Sequence, residues 1–293
     1  MWVLYAVISA VGLGFYDVMK KISLKGNNVP VVLWFNTLFG TLLMSPILIE
    51  CIARGEFGPG MGATGHVLIA IKSVIVLSSW ILGYFAIKHL PLTIQGPINA
   101  SRPVMVLVGA LLIFGEKLNL LQWAGVLLGF ASLFLISRAG SEEGFSFRHS
   151  KWLWMSIGAT MLGAVSALYD KYLLNTVGMS PLMVQSWYSL YQLLMMSAAV
   201  LVLQRLHTQR GTPFHWRWAI IGISVFLTGA DLAYFYCLSN PDAMISVVSM
   251  IRRGSVLISF FFGVLVLHEK HIRTKLIDLG ILLVSLLLLV LGS

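Results

Sequence analysis

Ten runs of about twenty apolar residues leave this chain little that could fold in water. They fall at roughly 2–24, 29–50, 66–88, 91–115, 118–137, 152–174, 181–204, 216–238, 242–267 and 272–291. A helix of about 20 residues crosses the hydrocarbon core of a bilayer, and inside it every backbone amide and carbonyl must be satisfied within the protein. Composition agrees: 58% of the 293 residues are hydrophobic and 11% charged, where soluble domains carry about 25% charged residues. These observations predict an all-α, multi-pass integral membrane protein, in a plasma or inner membrane and in contact with lipid. The first run lacks a basic leader and a small-residue cleavage pattern, so it is read as a retained helix. Cys51 and Cys237 fall in different runs, with no disulfide or metal-ligand spacing. No cofactor, metal or nucleic-acid partner is expected.

The net charge of +9 follows topology. Thirteen Lys and Arg, among them Lys25, Lys88, Arg148, Arg210 and Arg273, flank connections after odd-numbered runs. Four (Arg54, Lys72, Lys117 and Lys171) fall on the other side. The positive-inside rule makes the richer side cytoplasmic and turns both termini outward. Trp2, Trp123, Trp152, Trp154, Trp216 and Trp218 mark run ends, as an interfacial aromatic belt requires.

The longest polar connection, residues 138–151, divides the chain into 1–137 and 152–293, and the two parts echo each other. Tyr16-Asp17 recurs as Tyr169-Asp170. Tyr84-Phe85 before Pro91 recurs as Tyr234-Phe235 before Pro241, an offset of 150 that also lays Arg102 on Arg252 and Asn99 on Ser249. Glu116-Lys117 then meets Glu269-Lys270. Five crossings per part make the second enter the membrane from the opposite face, giving two inverted-topology five-helix repeats, an arrangement common among secondary transporters.

Within the repeats, runs 4 and 9 stand out. Run 4 carries Arg102 near its middle and is broken by Pro97 and Pro103, which withdraw amides from the helical ladder. An arginine at mid-depth costs about 2.5–3.5 kcal/mol on insertion scales, so it should face protein or a watered cavity. Gln95, Asn99 and Arg102 share one helical face by their i, i+4, i+7 spacing. Run 9 answers with Ser249, Arg252, Arg253 and Gly254. Interrupted spans at matching places point to a central site, with runs 4 and 9 facing each other across it. Run 7 adds Gln185, Ser189 and Gln192 on one face. Runs 5 and 10, nearly pure Leu, Val and Ile with Gly125 and Gly129 in run 5, suit the lipid-facing edge, where close packing of the two also allows a homodimer.

Each candidate has two readings. Arg102 and Arg252 either hold an anionic substrate, which a guanidinium matches bidentately, or pair with Asp17, Asp170 or Asp231. Adjacent residues on a helix diverge by about 100°, so one of Arg252 and Arg253 lines the site, and the repeat selects Arg252. Asp231, deep in run 8, is either a proton-coupling carboxylate or a salt-bridge partner. Asp17 and Asp170 lie nearer run ends beside Lys20, Lys21 and Lys171, which favours local pairing. Glu116 and Glu269 stand where runs 5 and 10 begin, where a carboxylate suits a helix N-terminus. Trp80, Tyr84 and Tyr234 offer rings to stack on a substrate or to pack.

The five-plus-five arrangement and the stretch INASRPVMVLVGALLIFGEKLNLLQWAGVLLGFASLFL resemble the EamA-type drug/metabolite transporter superfamily. The resemblance rests on Arg102, Pro103 and the closing Gly115-Glu116. The second half departs from it, with His268 before Glu269 and no proline after Arg253. The resemblance implies ten helices, a substrate basket of helices 1, 3, 4, 6, 8 and 9, proton-coupled or exchange transport, and cytoplasmic termini, against the charge count.

The expectation is therefore a secondary transporter of a small polar metabolite working by alternating access. Two facing arginines favour anions: an amino acid, an organic acid or a sugar phosphate. The alternatives are a multidrug or cation exporter of the same fold, or a non-transporting assembly protein or lipid-modifying enzyme. Against an enzyme stands the absence of a mid-span histidine or nucleophile motif.

Overall fold

The computed structural model describes residues 2–53, 62–89, 98, 101–138, 151–205, 213–255, 258 and 272–292. All ten apolar runs contain helix: α1 (Trp2–Leu24), α2 (Val29–Ala53), α3 (Gly62–His89), α4 (Arg102–Ile113), α5 (Leu120–Arg138), α6 (Lys151–Lys171), α7 (Pro181–Arg205), α8 (Ala219–Leu238), α9 (Ile245–Arg252) and α10 (Ile272–Leu291). A π turn, Tyr172–Thr176, prolongs α6. No strand occurs among the described residues. Among the described residues, six helices (α1, α2, α3, α6, α7 and α8) are long and apolar enough to cross a membrane. α4 and α9 are shorter. Pro103 sits in the first turn of α4, where a missing amide costs nothing, so the proline opens a helical segment and does not kink a continuous one. α9 ends at Arg252, just before Gly254.

Helix packing obeys the internal repeat. The main neighbours are α1 with α8, α3 with α6, α5 with α10 and α2 with α7. α2 with α8, α3 with α7, α4 with α6, α1 with α9 and α4 with α9 follow. Moving each helix five places along exchanges α1–α8 with α3–α6, α2–α8 with α3–α7, and α1–α9 with α4–α6. It leaves α2–α7, α4–α9 and α5–α10 unchanged. A pseudo-two-fold axis between odd-numbered halves produces this pattern, and it lies in the membrane plane.

The dry core gathers where α4, α6, α8 and α9 meet, around Leu173, Phe235, Ile245 and Met250. α5 and α10 close one edge. A Cβ on Gly125 would stand 2.8 Å from Leu289 Cγ, and one on Gly129 2.8 Å from Ser285 Oγ. Ser285 Oγ donates to the Gly125 carbonyl at 2.7 Å. The glycine face is thus occupied within one chain, and a homodimer through these helices would have to use their outer faces. Their exposed Leu127 and Leu287 belong to the expected lipid-facing edge. One belt residue departs from expectation: Trp154, Trp216 and Trp218 are exposed, but Trp2 is buried in the core.

Candidate functional site

Among the described residues, three ion pairs tie one part of the bundle to another. Lys72 of α3 binds Asp170 of α6, both buried. Its ammonium also lies 4.6 Å from the ring centres of Tyr188 and Phe235. Lys171 binds Glu116 at 2.6 Å and donates to the Ala243 carbonyl at 2.9 Å. Arg252 binds Asp231 at 3.1 Å, its guanidinium lying 3.8 Å from the centre of the Tyr234 ring. Charges at such depth persist when paired and hydrogen-bonded.

The pairing differs from the local pairing read from sequence. Asp170 reaches across to Lys72, not to the adjacent Lys171, because neighbours on a helix point about 100° apart. Lys72 and Lys171, counted above as loop cations, are interior. Asp17 is exposed on α1 and stands outside all three pairs. Arg102 takes neither Asp231 nor Asp170. Its guanidinium donates to the Gly163 carbonyl at 2.6 Å, in a notch where a Cβ on Gly163 would lie 2.6 Å from Arg102 Cζ. Arg252 retains a buried Nε with no partner among the described residues. Arg253 is half-buried at the end of α9.

Glu116 caps a helix, though not α5. Gly115, left-handed at φ 61°, ends α4 and turns the chain. The Glu116 carboxylate then accepts the amides of Ile245 (2.6 Å) and Ser246 (3.2 Å) and the Ser246 hydroxyl, at the start of α9. α5 is capped instead by a reciprocal pair: Asn119 Oδ1 accepts the Gln122 amide at 2.8 Å, and Gln122 Oε1 accepts that of Asn119 at 2.9 Å. Glu269 lies outside the described residues.

A narrow cleft, part of it open, lies between α2 and α7, flanked by α3 and α8. Its walls are Asn36, Thr37 and Gly40 of α2, Trp80 of α3, Gln185, Tyr188, Ser189 and Gln192 of α7, and Leu227, Thr228 and Asp231 of α8. The α2–α7 pair maps onto itself under the repeat, so the cleft sits on the pseudo-two-fold axis. Asp231 joins it to Arg252.

Of the expected site residues, the structure brings together Trp80 and Asp231 in the cleft and Arg252 and Tyr234 beside it. Ser249 is half-buried on α9. Arg102 and Asp170 engage α6 and α3 respectively. Gln95, Asn99 and the Tyr84 side chain lie outside the described residues. The polar face read on run 7 is the cleft's main wall. Asn36, Thr37, Tyr188, Thr228 and Lys72 were not singled out; a lysine six residues inside run 3 was the available signal, since an intramembrane charge needs a partner.

Comparison with known proteins agrees with this architecture. Residues 1–138 match the model of the EamA-like transporter family. A curated protein of Sinorhizobium sp., an uncharacterized transporter in the cobO 3' region, is 26% identical over 128 residues, 43% of this chain and 88% of that protein. A crystal structure described only as that of a protein superposes with a TM-score of 0.74 at 12% identity, over 99% of both chains. That likeness extends the shared fold through both halves.

Proposed function

On the footing that residues 1–138 form a unit of the EamA-like transporter family, we propose that this membrane transporter moves a small polar metabolite by alternating access of its two halves. The observation that carries this reading is the polar cleft on the pseudo-two-fold axis. A site on that axis is contributed by both repeats and is reached from either side when one rocks against the other. The cleft's lining draws α2 and α3 from the first half and α7 and α8 from the second.

Asp231 is the coupling group in this reading. It lines the cleft and holds Arg252, so protonating it or filling the cleft alters a bond between α8 and α9. Arg102, lodged against Gly163, serves to fix α4 on α6.

The test is counterflow in proteoliposomes: unlabelled metabolite inside, labelled metabolite outside, with and without a pH gradient. Expected is saturable uptake of at least one small polar metabolite, reduced at least tenfold by Asp231→Asn. Binding without movement of any bound compound would instead support a non-transporting membrane protein.

A further inference from the structure

We propose that the cleft between α2 and α7 recognises the protonated primary amino group of a small metabolite through Asp231 and the side-chain oxygens of Gln185 and Gln192. The inference rests on the transport reading for its biological meaning, but its chemistry stands on the cleft alone.

Two acceptors in the cleft wall are buried and unengaged. Gln185 Oε1 and Gln192 Oε1 are buried and have no partner among the described residues. The two residues are respectively 3% and 2% exposed. A buried amide oxygen left without a donor is costly, and a ligand that supplies one removes that cost. The orientation of Gln192 is fixed: its Nε2 donates to the Ser73 carbonyl at 2.9 Å. A carbonyl can only accept, so turning the amide would oppose two oxygens. The spacing of 185, 189 and 192 places both glutamines and Ser189 on one face of α7.

Two hydroxyl protons of the wall are already committed. Thr37 donates to the Trp34 carbonyl at 2.8 Å, and Ser189 to the Gln185 carbonyl at 2.8 Å. Among the described residues lining the cleft, none is lysine or arginine and Asp231 alone is charged, a third acceptor. Trp80 adds a ring face that attracts cations. A primary ammonium carries three N–H donors and no acceptor, against three acceptor groups. An anion would set its oxygens against those same acceptors.

Arg252 is the counter-charge of Asp231. Its guanidinium holds the carboxylate at 3.1 Å and rests on Tyr234. An arriving ammonium shares that carboxylate and loosens its hold on α9. Substrate recognition would thereby reach the broken helix that the repeat pairs with α4.

The experiment uses the purified full chain and three probes of similar size: ethanolamine, L-serine and L-glycerate, the last being L-serine with a hydroxyl in place of the ammonium. Binding is read by calorimetry at up to about 10 mM, enough to fill any site tighter than about 1 mM. Ethanolamine and serine are expected to bind and glycerate to bind at least tenfold more weakly. Asp231→Asn and Gln185→Leu should each weaken ethanolamine binding about tenfold or more, as loss of a charge-assisted or buried hydrogen bond does. Gln185→Leu should also raise the Tm, because it removes an unsatisfied buried oxygen. That gain separates lost recognition from lost folding. Glycerate binding as tightly as serine, or no binding by either amine, overturns the proposal. Counterflow with the same probes keeps the two readings apart. Glycerate flux without amine flux or binding sinks the ammonium site and leaves transport standing, and amine binding without flux does the reverse.

Discussion

A buried charge in this protein is governed by what stands opposite it, and two residues show how narrowly. Gly163 gives the Arg102 guanidinium its place, since a Cβ there would fall 2.6–2.8 Å from three of its atoms. Gly163→Ala must therefore displace the arginine, and overpacking of this kind costs about 1–3 kcal/mol. Gly83→Ala is the control, its Cβ meeting Ala159 at an ordinary 3.6 Å. We expect a lower Tm and slower counterflow for the first and wild-type behaviour for the second. An equal response from both variants would remove the notch from the account. The Lys72–Asp170 pair allows a sharper test. Asp170→Asn leaves a buried ammonium without its counter-charge, which costs about 3–5 kcal/mol, whereas replacing both partners by apolar residues is often neutral. The Lys72→Met/Asp170→Leu double variant should therefore unfold at a higher temperature than Asp170→Asn alone.

Among elements, the connection after α4 holds four helices together. Left-handed Gly115 aims Glu116 at the start of α9, and Lys171 from the end of α6 binds the same carboxylate. Glu116→Gln keeps the shape but halves the charge complementarity at the α9 N-terminus and strips Lys171 of its anion. Loss of a buried charge-assisted contact of this kind costs about 2–3 kcal/mol, to be read as a lower Tm. Lys171→Met should recover part of that loss in the double variant, since the stranded ammonium is then gone. At the opposite edge, Gly125→Leu would force α10 off α5, because the backbone carbonyl of Ser285 already lies 3.0 Å from the Cβ position. Thermal stability should fall, while the relative affinities for the three probes stay unchanged. Altered selectivity would mean that this edge reaches the cleft.

Over the whole molecule, the two halves share a fold but not their charges. The repeat offset of 150 lays Ile81 on Asp231 and Gly222 on Lys72. The arginine of the first half has no carboxylate at the matching place and takes a backbone carbonyl instead. Asp17, the counterpart of Asp170, has a glycine where Asp170 has a lysine. A cleft on the axis is thus acidic from one side only, which would orient a polar substrate within it. Membrane orientation follows from the remaining charge. With Lys72 and Lys171 interior, the cation-poor face keeps 4 − 2 = 2 of its residues, Arg54 and Lys117, against thirteen on the other. We therefore propose a cytoplasmic 138–151 linker, opposite to what the family resemblance implies. Ser141→Cys in a background lacking Cys51 and Cys237 should resist an impermeant thiol reagent in intact cells and react after permeabilisation. Labelling in intact cells would reverse the orientation.

The helices and the breaks at Pro103 and Gly254 were legible in the sequence. Each is set by local chemistry: an apolar run of bilayer length, a missing amide, a residue without a side chain. The polar face of α7 was legible for the same reason, because helical periodicity alone brings Gln185, Ser189 and Gln192 together. Tertiary structure decided which charge met which. Asp170 lay beside Lys171 in the chain and bound Lys72, and Glu116 stood before α5 and capped α9. In a low-dielectric interior the strongest interaction belongs to whichever opposite charge lies within hydrogen-bonding reach across the helix interface, and sequence distance does not measure that reach. The sequence could name the arginines as unusual; only the packing of α4 on α6 and α9 on α8 showed that the protein's own groups already engage them.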